Sequence, residues 1–433
     1  MSCAEIVAPL AARIDALAPG ARLIRVRFWD GSELPAVDGD PSHPAVILRS
    51  PRALSHVVWR PGEMGIARAW VSGEVDVDGD IEEILGLRTR FEGLHLGPSE
   101  LALLVKTARR LGALRGGKPQ IPAAEFRKEG RVHSLRRDRR AIRHHYDVSN
   151  EFYRLVLGPT MVYSCAYFAD PSESVDVAQE RKLELICRKL RLAEGERFLD
   201  VGCGWGSLVI HAAREHGVQA VGVTISEAQA ELARERVREA GLSDRVEIRL
   251  ADYREIADGP YDKIASVGMY EHVGREQLGD YFTRVRSILR PGGLFLNHGI
   301  SRVAPHVKRK PWASDATFLS RYVFPDGELS LLGTVVEAAE RAGFETRDDE
   351  SLREHYALTL REWVRNLAAN RERAIEIAGS DRERVWRLYM TGAALAFEAG
   401  EIGVHQTLFA NPGAPHGLPL VRKGLLPHAS STN

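Results

Sequence analysis

The chain has no apolar run reaching the roughly 18 residues that a membrane span needs, so no transmembrane helix is expected in its 433 residues. Its four cysteines, Cys3, Cys165, Cys187 and Cys203, lie scattered with no CxxC pair. That argues against a disulfide scaffold and against zinc, and makes a reducing cytoplasm the simplest compartment. Excess charge is also missing: 59 Lys+Arg balance 59 Asp+Glu, which removes any global nucleic-acid signature. The N-terminal MSCAEIVAPLAARIDAL is amphipathic and carries Glu5 and Asp15, without the basic start and continuous apolar core of a secretory signal. No internal repeat is visible. What remains is 44% hydrophobic and 27% charged residues, the balance of an ordinary soluble globular protein long enough for two or three units.

Three segments and a tail are expected. Residues 1–114 read as a small α/β unit, with strands in LIRVRFWDGS, PAVILRS and EVDVDG and helices around IVAPLAARIDAL, PRALSHVVW and LALLVKTARRLGAL. Residues 115–140 contain Gly and Pro and read as an exposed basic linker. From Lys106 to Arg143 thirteen Lys/Arg face three acids, Glu125, Glu129 and Asp138. From 141 to 411, strands RFLDV, QAVGVTI, RVEIRLA, DKIASVG and GGLFLNH alternate with helices. The alternation predicts a doubly wound parallel sheet with its ligand at the carboxyl ends of the strands. A mostly helical stretch from RYVFPDG to GEIGVHQTLF interrupts the late sheet, and 412–433 reads as a disordered tail.

The most informative stretch is Leu199-Asp200-Val201-Gly202-Cys203-Gly204-Trp205-Gly206. It places a glycine turn between a buried strand and a helix, so backbone N–H groups and a helix N-terminus surround whatever binds there. Gly202, Gly204 and Gly206 are spaced GxGxG, not GxGxxG, and the next strand ends at Thr224 instead of at the acid a dinucleotide ribose requires. The turn is similar to the S-adenosylmethionine turn of class I methyltransferases. Reacting groups in such a sheet belong on the loops after the strands: Met269-Tyr270-Glu271-His272-Val273-Gly274, His298-Gly299-Ile300, the Tyr-rich stretch around Cys165 that precedes the first strand, and Tyr356 in the helical region. Taken singly, each has a bland reading: Glu271 as the start of a helix, His298 as a satisfied polar group, Cys165 as a small buried residue.

Together these stretches resemble the cyclopropane fatty acid synthase family, S-adenosylmethionine enzymes that add a methylene across a cis double bond of a lipid acyl chain. HYDVSNEFY, MVYSCAYF, FLDVGCGWGSL, GVTISEAQ, LADYRE, SVGMYEHVG, LRPGGLFLNHGI, YVFPDGELS and HYALTLREW occur in family order between about 141 and 409. ARAWVSGEVDVDGDIEEIL in the N-terminal unit is similar to the lipid-binding domain of full-length bacterial members. The resemblance implies a class I methyltransferase (Rossmann-like) fold with a helical insertion. It implies a bicarbonate site at Cys165 (largely its backbone), Glu271, His298, Ile300 (backbone) and Tyr356. It further implies cofactor contacts at Gly202, Gly204, Gly206, Thr224 and Gln229, with Tyr163 and Ser164 flanking the sulfonium. Tyr253 falls at the adenine-side aromatic and Asp252 at the adenine edge.

The chemistry agrees with these assignments. An alkene is a weak nucleophile, so the methyl donor must be held in line. Attack leaves a carbocation that water would trap, so the pocket must be dry, and Tyr322 and Phe324 offer either cation-stabilising faces or plain core packing. A base must then remove a proton for the ring to close, and bicarbonate beside Glu271 would share one. Metal is not expected at Cys165, Glu271 and His298, which include no local ligand pair. The substrate implied is an unsaturated membrane phospholipid, reached from the cytoplasm by a peripheral enzyme whose basic 115–140 stretch is either a solvated linker or a contact for anionic headgroups. No nucleic acid is expected. A homodimer is what the family habit implies, though no residue specifies it. The nearest rival is a family member that loses the proton elsewhere and leaves a methylene branch, which a separate reductase would turn into a methyl branch. More distant rivals are a small-molecule or RNA methyltransferase on the same fold and a non-catalytic lipid-binding protein.

Overall fold

The computed structural model describes residues 1–91, 97–126, 137, 149–303 and 317–420. The N-terminal part begins with α1 (Cys3–Leu17), whose Ser2 and Glu5 form a reciprocal capping box. Strands β1 (Arg25–Arg27), β2 (Glu33–Leu34), β3 (Ala45–Leu48) and β4 (Val75–Asp78) pair in the order β2-β1-β3-β4. Around them lie α2 (Arg52–Trp59), α3 (Glu63–Val71), α4 (Ile81–Gly86) and α5 (Pro98–Arg110). The three strand-bearing runs and three helices read from the sequence are present, and α3 and α4 are added.

Two helices, α6 (Asn150–Leu157) and α7 (Val175–Leu190), lead into the large sheet. Strands β5 (Arg197–Val201), β6 (Gln219–Thr224), β7 (Val246–Leu250), β8 (Tyr261–Val267) and β9 (Leu289–Arg302) are the five apolar runs of the sequence, and they pair in parallel. Helices α8 (Ser207–His216), α9 (Glu227–Glu239) and α10 (Leu278–Ser287) connect them and cover both faces. After α11 (Leu332–Arg341) come β10 (Glu345–Ser351), α12 (Arg353–Ala369), α13 (Arg371–Ala378), α14 (Ser380–Glu398) and β11 (Ile402–Ala410). The seven-stranded order is β10-β11-β9-β8-β5-β6-β7, with β11 antiparallel to both neighbours.

The late stretch is mostly helical, as expected, but it also carries two strands, β10 and β11, and the antiparallel β11 makes the sheet mixed. ETRDDES carries almost no apolar residues because β10 is an edge strand, so its hydrophobic pattern was silent. The tail also differs from expectation over its described part: Leu418 packs on the sheet core, and its N–H donates to His416 Nδ1 at 3.0 Å. Residues 421–433 lie outside the described residues.

The N-terminal unit shares a core with the rest. Met64, Ala67, Trp70 and Val71 of α3 join a cluster with Phe152, Tyr153, Trp205, Tyr356, Trp363 and Trp386. Trp70 Nε1 donates to Arg384 O at 2.9 Å, and the Arg384 guanidinium lies 4.2 Å from the Trp70 ring centroid and 3.5 Å from Asp76. A second seam uses the segment expected to be an exposed linker. Glu125 takes both arms of Arg68 at 2.8 Å and the Tyr322 hydroxyl at 3.1 Å, all buried or nearly so. Phe126 N–H donates to Arg321 O at 2.7 Å. Arg137 is buried in a two-pronged pair with Asp326, at 2.6 and 2.7 Å, and so is not a headgroup-facing cation. Here charge pattern misled, because a basic run reads as solvated unless its carboxylate partner, 189 residues away, is known. The other basic residues from 127 to 143, Arg136, Arg139 and Arg140 among them, lie outside the described residues.

Removing Arg384 leaves Asp76 without this buried cation and the Trp70 carbonyl without its donor. Arg384→Ala should lower the unfolding free energy by about 3 kcal/mol, read by urea unfolding, whereas Arg341→Ala on the exposed face of α11 should change it by less than about 0.5 kcal/mol.

Candidate active site

Strand β5 ends in the glycine turn, and each glycine does a different job. Gly202 has φ +86°, and a Cβ there would lie 3.1 Å from Met269 Cγ, so the turn can approach the β8 loop only without a side chain. Gly206, at φ +82°, starts α8, and a Cβ there would press to 3.2 Å on Ala233 of α9. Gly202 and Gly204 line the cleft over the sheet's carboxyl edge together with Tyr163, Ser164, Thr224, Gln229, Asp252 and Tyr253. Gly206 is not among the lining residues and serves helix packing instead. Thr224 Oγ1 donates to Gln229 Oε1 at 2.8 Å, and Ser226, capping α9, accepts the Gln229 N–H and so fixes that side chain beside the strand end. Tyr253 stands edge-on to Tyr281, ring centroids 5.5 Å apart. The Asp252 carboxylate caps its own 3-10 turn and is gripped by both arms of Arg254 at 2.8 Å.

Two cleft residues escaped the sequence reading. Lys182 is 1% exposed, and its Nζ donates to Ser164 Oγ at 2.8 Å. Asp200, the last acid before the glycines, is 2% exposed, and its Oδ1 has no partner among the described residues. Burial pushes the carboxyl up and the ammonium down, each toward neutrality. A signal for Lys182 did exist. It stands four residues from Ala178 and from Ile186, on the buried stripe of α7, where a solvated lysine would not be placed.

The residues expected to hold a small anion come together in part. Glu271 sits in a short 3-10 turn just after β8, and Tyr270 beside it anchors that turn by donating to Ile300 O at 2.6 Å. The turn lies directly on Gly299, where a Cβ would be 1.9 Å from the Tyr270 ring. Glu271 Oε1 accepts the Ile300 N–H at 2.7 Å, while its Oε2 is buried without a partner among the described residues. Desolvation raises the Glu271 carboxyl from its ordinary 4.5 to about 7.

His298 is 1% exposed on β9, in register with Gln406 of β11. Its protonation pattern follows from the neighbours. Lys189 can only donate, and its Nζ donates to Gln406 Oε1 at 2.8 Å. Gln406 therefore presents Nε2 to His298 Nδ1, 3.1 Å away, which makes Nδ1 the acceptor and puts the ring proton on Nε2. Burial, reinforced by Lys182 and Lys189, keeps the ring neutral, and the Nε2–H has no partner among the described residues. Gln406, the orienting residue, gave no sequence signal because its strand was read as helical.

Cys165 is fully buried, with its thiol donating to Ala166 O at 3.2 Å and burial driving its pKa far upward, so its sulfur is no nucleophile. The thiol also reaches Leu352 O at 3.6 Å, the carbonyl that accepts the Tyr356 N–H, which ties Cys165 to the first turn of α12. Tyr356 packs on Phe397 at 4.7 Å. Above these groups Tyr153, Tyr163, Trp205, Trp363 and Trp386 form a continuous aromatic wall, neighbouring centroids 4.8–5.8 Å apart. Tyr322 is spent on the domain seam, while Phe324 lies nearer the site, 5.4 Å from Tyr389 and 6.1 Å from His272.

The strand order with one antiparallel member, the glycine turn and the cleft over it define a class I S-adenosylmethionine-dependent methyltransferase fold. A family model described as "Mycolic acid cyclopropane synthetase" matches residues 133–407. The chain belongs to this family of S-adenosylmethionine-dependent cyclopropane and methyl lipid synthases. It is 40% identical to a "Probable fatty acid methyltransferase" of Pseudomonas putida, covering 93% of this chain and 96% of that one. It is 36% identical to the "Cyclopropane-fatty-acyl-phospholipid synthase" of Escherichia coli K12, covering 64% of this chain and 69% of that one. Among solved structures it is similar to mycolic acid cyclopropane synthase CmaA1 complexed with SAH and CTAB: 34% identity, TM-score 0.60, 63% of this chain and 98% of that one.

The raised Glu271 carboxyl has a measurable consequence in the ligand-free protein. Unfolded, the group ionises near 4.5; folded, it keeps its proton to about 7, so the native state binds more protons between those values. Its contribution to stability is complete below pH 4.5 and is lost as pH rises to about 7, by up to about 3 kcal/mol. Urea unfolding of wild type and Glu271→Gln at pH 5 and pH 8 should show the wild type losing stability relative to the variant. Equal losses would mean that Glu271 is solvated.

Proposed function

We propose that the protein alkylates a cis double bond in the acyl chain of a phospholipid and closes the product to a cyclopropane ring. The observation that carries this reading is a pair of buried groups unpartnered among the described residues, one just after β8 and one level with the end of β8 on β9: Glu271 Oε2 and the His298 Nε2–H. One offers a carboxyl poised to share a proton and the other a neutral N–H donor. That donor set suits a small oxyanion such as bicarbonate, and no charged ammonium or guanidinium is needed to hold it. Thr224, Gln229, Tyr253 and the glycine turn supply the polar and aromatic cleft that an adenosyl group requires.

When bound, S-adenosylmethionine supplies a methyl group activated by its sulfonium. The aromatic wall from Tyr153 to Trp386 excludes water from the alkene carbon that becomes positive. Glu271 and His298 fix where the departing proton goes, Glu271 through Oε2 and His298 by orienting the acceptor with Nε2–H. Bicarbonate, when bound, supplies the base itself. The fixed tautomer of His298 and the Ile300 bond to Glu271 keep both groups aimed without rearrangement during the reaction.

The second reading is proton loss away from the new methyl group, giving a methylene branch for a reductase. It is favoured by the Pseudomonas putida relative, which covers 93% of this chain and is named a fatty acid methyltransferase. Incubation with S-adenosylmethionine and vesicles of cis-monounsaturated phospholipid separates the two. A gain of one CH2 with upfield ring protons by NMR supports the cyclopropane; vinylic methylene protons move the product to the branched type. No gain, with S-adenosylmethionine bound, overturns the acyl-chain reading.

The roles given to the unpartnered pair predict that Glu271→Gln and His298→Ala each lower turnover by about 10²–10⁴-fold. S-adenosylmethionine affinity, measured by calorimetry, should stay within about twofold, since a defect in the proton acceptor leaves the adenosyl cleft intact. Loss of cofactor binding in both variants would falsify the assignment.

A further inference from the structure

On the far side of α7 from the cleft, a cluster of metal-ligating side chains takes no part in the reaction. Glu184 and Cys187 lie three residues apart on α7, and α8 packs against that helix with His211 and with His216 at its last position. Cys187 Sγ and one nitrogen from each of the two rings lie within 4.8 Å of one another. Glu184 Oε2 stands 3.1 Å from His211 Nε2 and 2.9 Å from His216 Nε2, while its Oε1 accepts from Arg188 Nε at 2.6 Å.

These distances suit a tetrahedral ion. With metal–nitrogen and metal–oxygen bonds of about 2.0–2.2 Å, tetrahedral ligand atoms stand roughly 3.3 Å apart. The carboxylate oxygen already stands near that spacing from each imidazole nitrogen, and the sulfur lies within 4.8 Å of a nitrogen of each ring. We propose that Cys187, His211, His216 and Glu184 form a structural zinc site clamping α7 to α8. A thiolate, two imidazoles and one carboxylate match zinc, whereas magnesium and calcium take oxygen donors. Four protein ligands leave no open position, so the site holds structure and does no catalysis.

On binding, the Cys187 S–H bond breaks, an S–Zn bond forms and the proton leaves to solvent. Each imidazole moves its proton to Nδ1 and gives the Nε2 lone pair to the metal. No electron changes hands. Side-chain exposures of 18–28% at His211, His216 and Glu184 leave an entry path, while Cys187 closes the inner side. Sequence spacing hid the cluster: the ligands form no CxxC, and 24 to 29 residues separate Cys187 from the two histidines. The competing account is a carboxylate bridging two imidazoles with a bystander thiol, and the two differ in what Cys187 does.

The test uses full-length protein without a histidine tag, stripped with a chelator, dialysed against zinc and assayed for metal content and melting temperature. Cobalt is then substituted to read the ligand set. One zinc per chain should be retained, the melting temperature should rise with zinc, and the cobalt form should show a thiolate charge-transfer band with tetrahedral visible bands. Cys187→Ser should abolish that band and weaken zinc binding more than about 10-fold. His216→Gln, at a partly exposed position that tolerates change, should weaken binding likewise if Cys187→Ser fails to fold. No retained zinc, or equal zinc retention in wild type and variants, overturns the site.

Discussion

The register between β9 and β11 is the constraint on which the candidate site rests. Pairing His298 with Gln406 makes a glutamine amide, oriented by Lys189, the partner of one ring nitrogen, so the other nitrogen carries the proton. A slip of one residue would turn His298 to the opposite face of the sheet and offer Thr407 or His405 in place of Gln406. The same strand carries Gly299 and Ile300, which seat the Tyr270–Glu271 turn. One strand pair thus sets the positions of both groups that face the buried space, and the tautomer of one of them.

What makes those groups useful is desolvation, and desolvation depends on the N-terminal unit. The aromatic wall is continuous with Trp70 and Val71 of α3, and the Arg384–Trp70 and Glu125–Arg68–Tyr322 contacts hold the two halves as one core. A carboxyl whose proton is held to about 7 needs water kept away from it, which the small unit helps to ensure from outside the catalytic sheet. A carbocation has the same requirement.

Much of this was legible in the residues. The five parallel strands show as short, largely apolar runs between helical stretches, and the glycine turn announces both its conformation and its ligand class. Glu271, His298, Cys165 and Ile300 were singled out by motif, but Lys189 and Gln406, which orient His298, were not. Gln406 lies on a strand whose pairing depends on tertiary order, and β10 carries acids where a buried strand would carry valines. Arg137 and Glu125 sat in a basic, Pro- and Gly-containing stretch whose composition describes a solvated segment well. Their burial comes from Asp326 and Arg68, far away in sequence. Local pattern reports which face a residue prefers; it does not report which distant group will satisfy a charge.

The choice between ring and branch turns on where the base stands relative to the new methyl group. A cation on an acyl chain has acidic hydrogens on the methyl just added and on the chain carbons beside it. Thermodynamics does not select the strained three-membered ring, so selection must be geometric: the acceptor must reach the methyl hydrogens and no others. Glu271 and His298 are both held from β9, Glu271 through Ile300 N–H and His298 as part of the strand, so they cannot follow a chain that shifts in its groove. In the proposed reaction the acyl chain would be positioned separately, by the aromatic wall. Ring closure therefore requires that two separately built parts of the structure agree to within a bond length. In the proposed reaction, a change in the wall that shifts the chain relative to the fixed polar pair would move proton loss from the new methyl to a neighbouring chain carbon, and so the product from ring to branch.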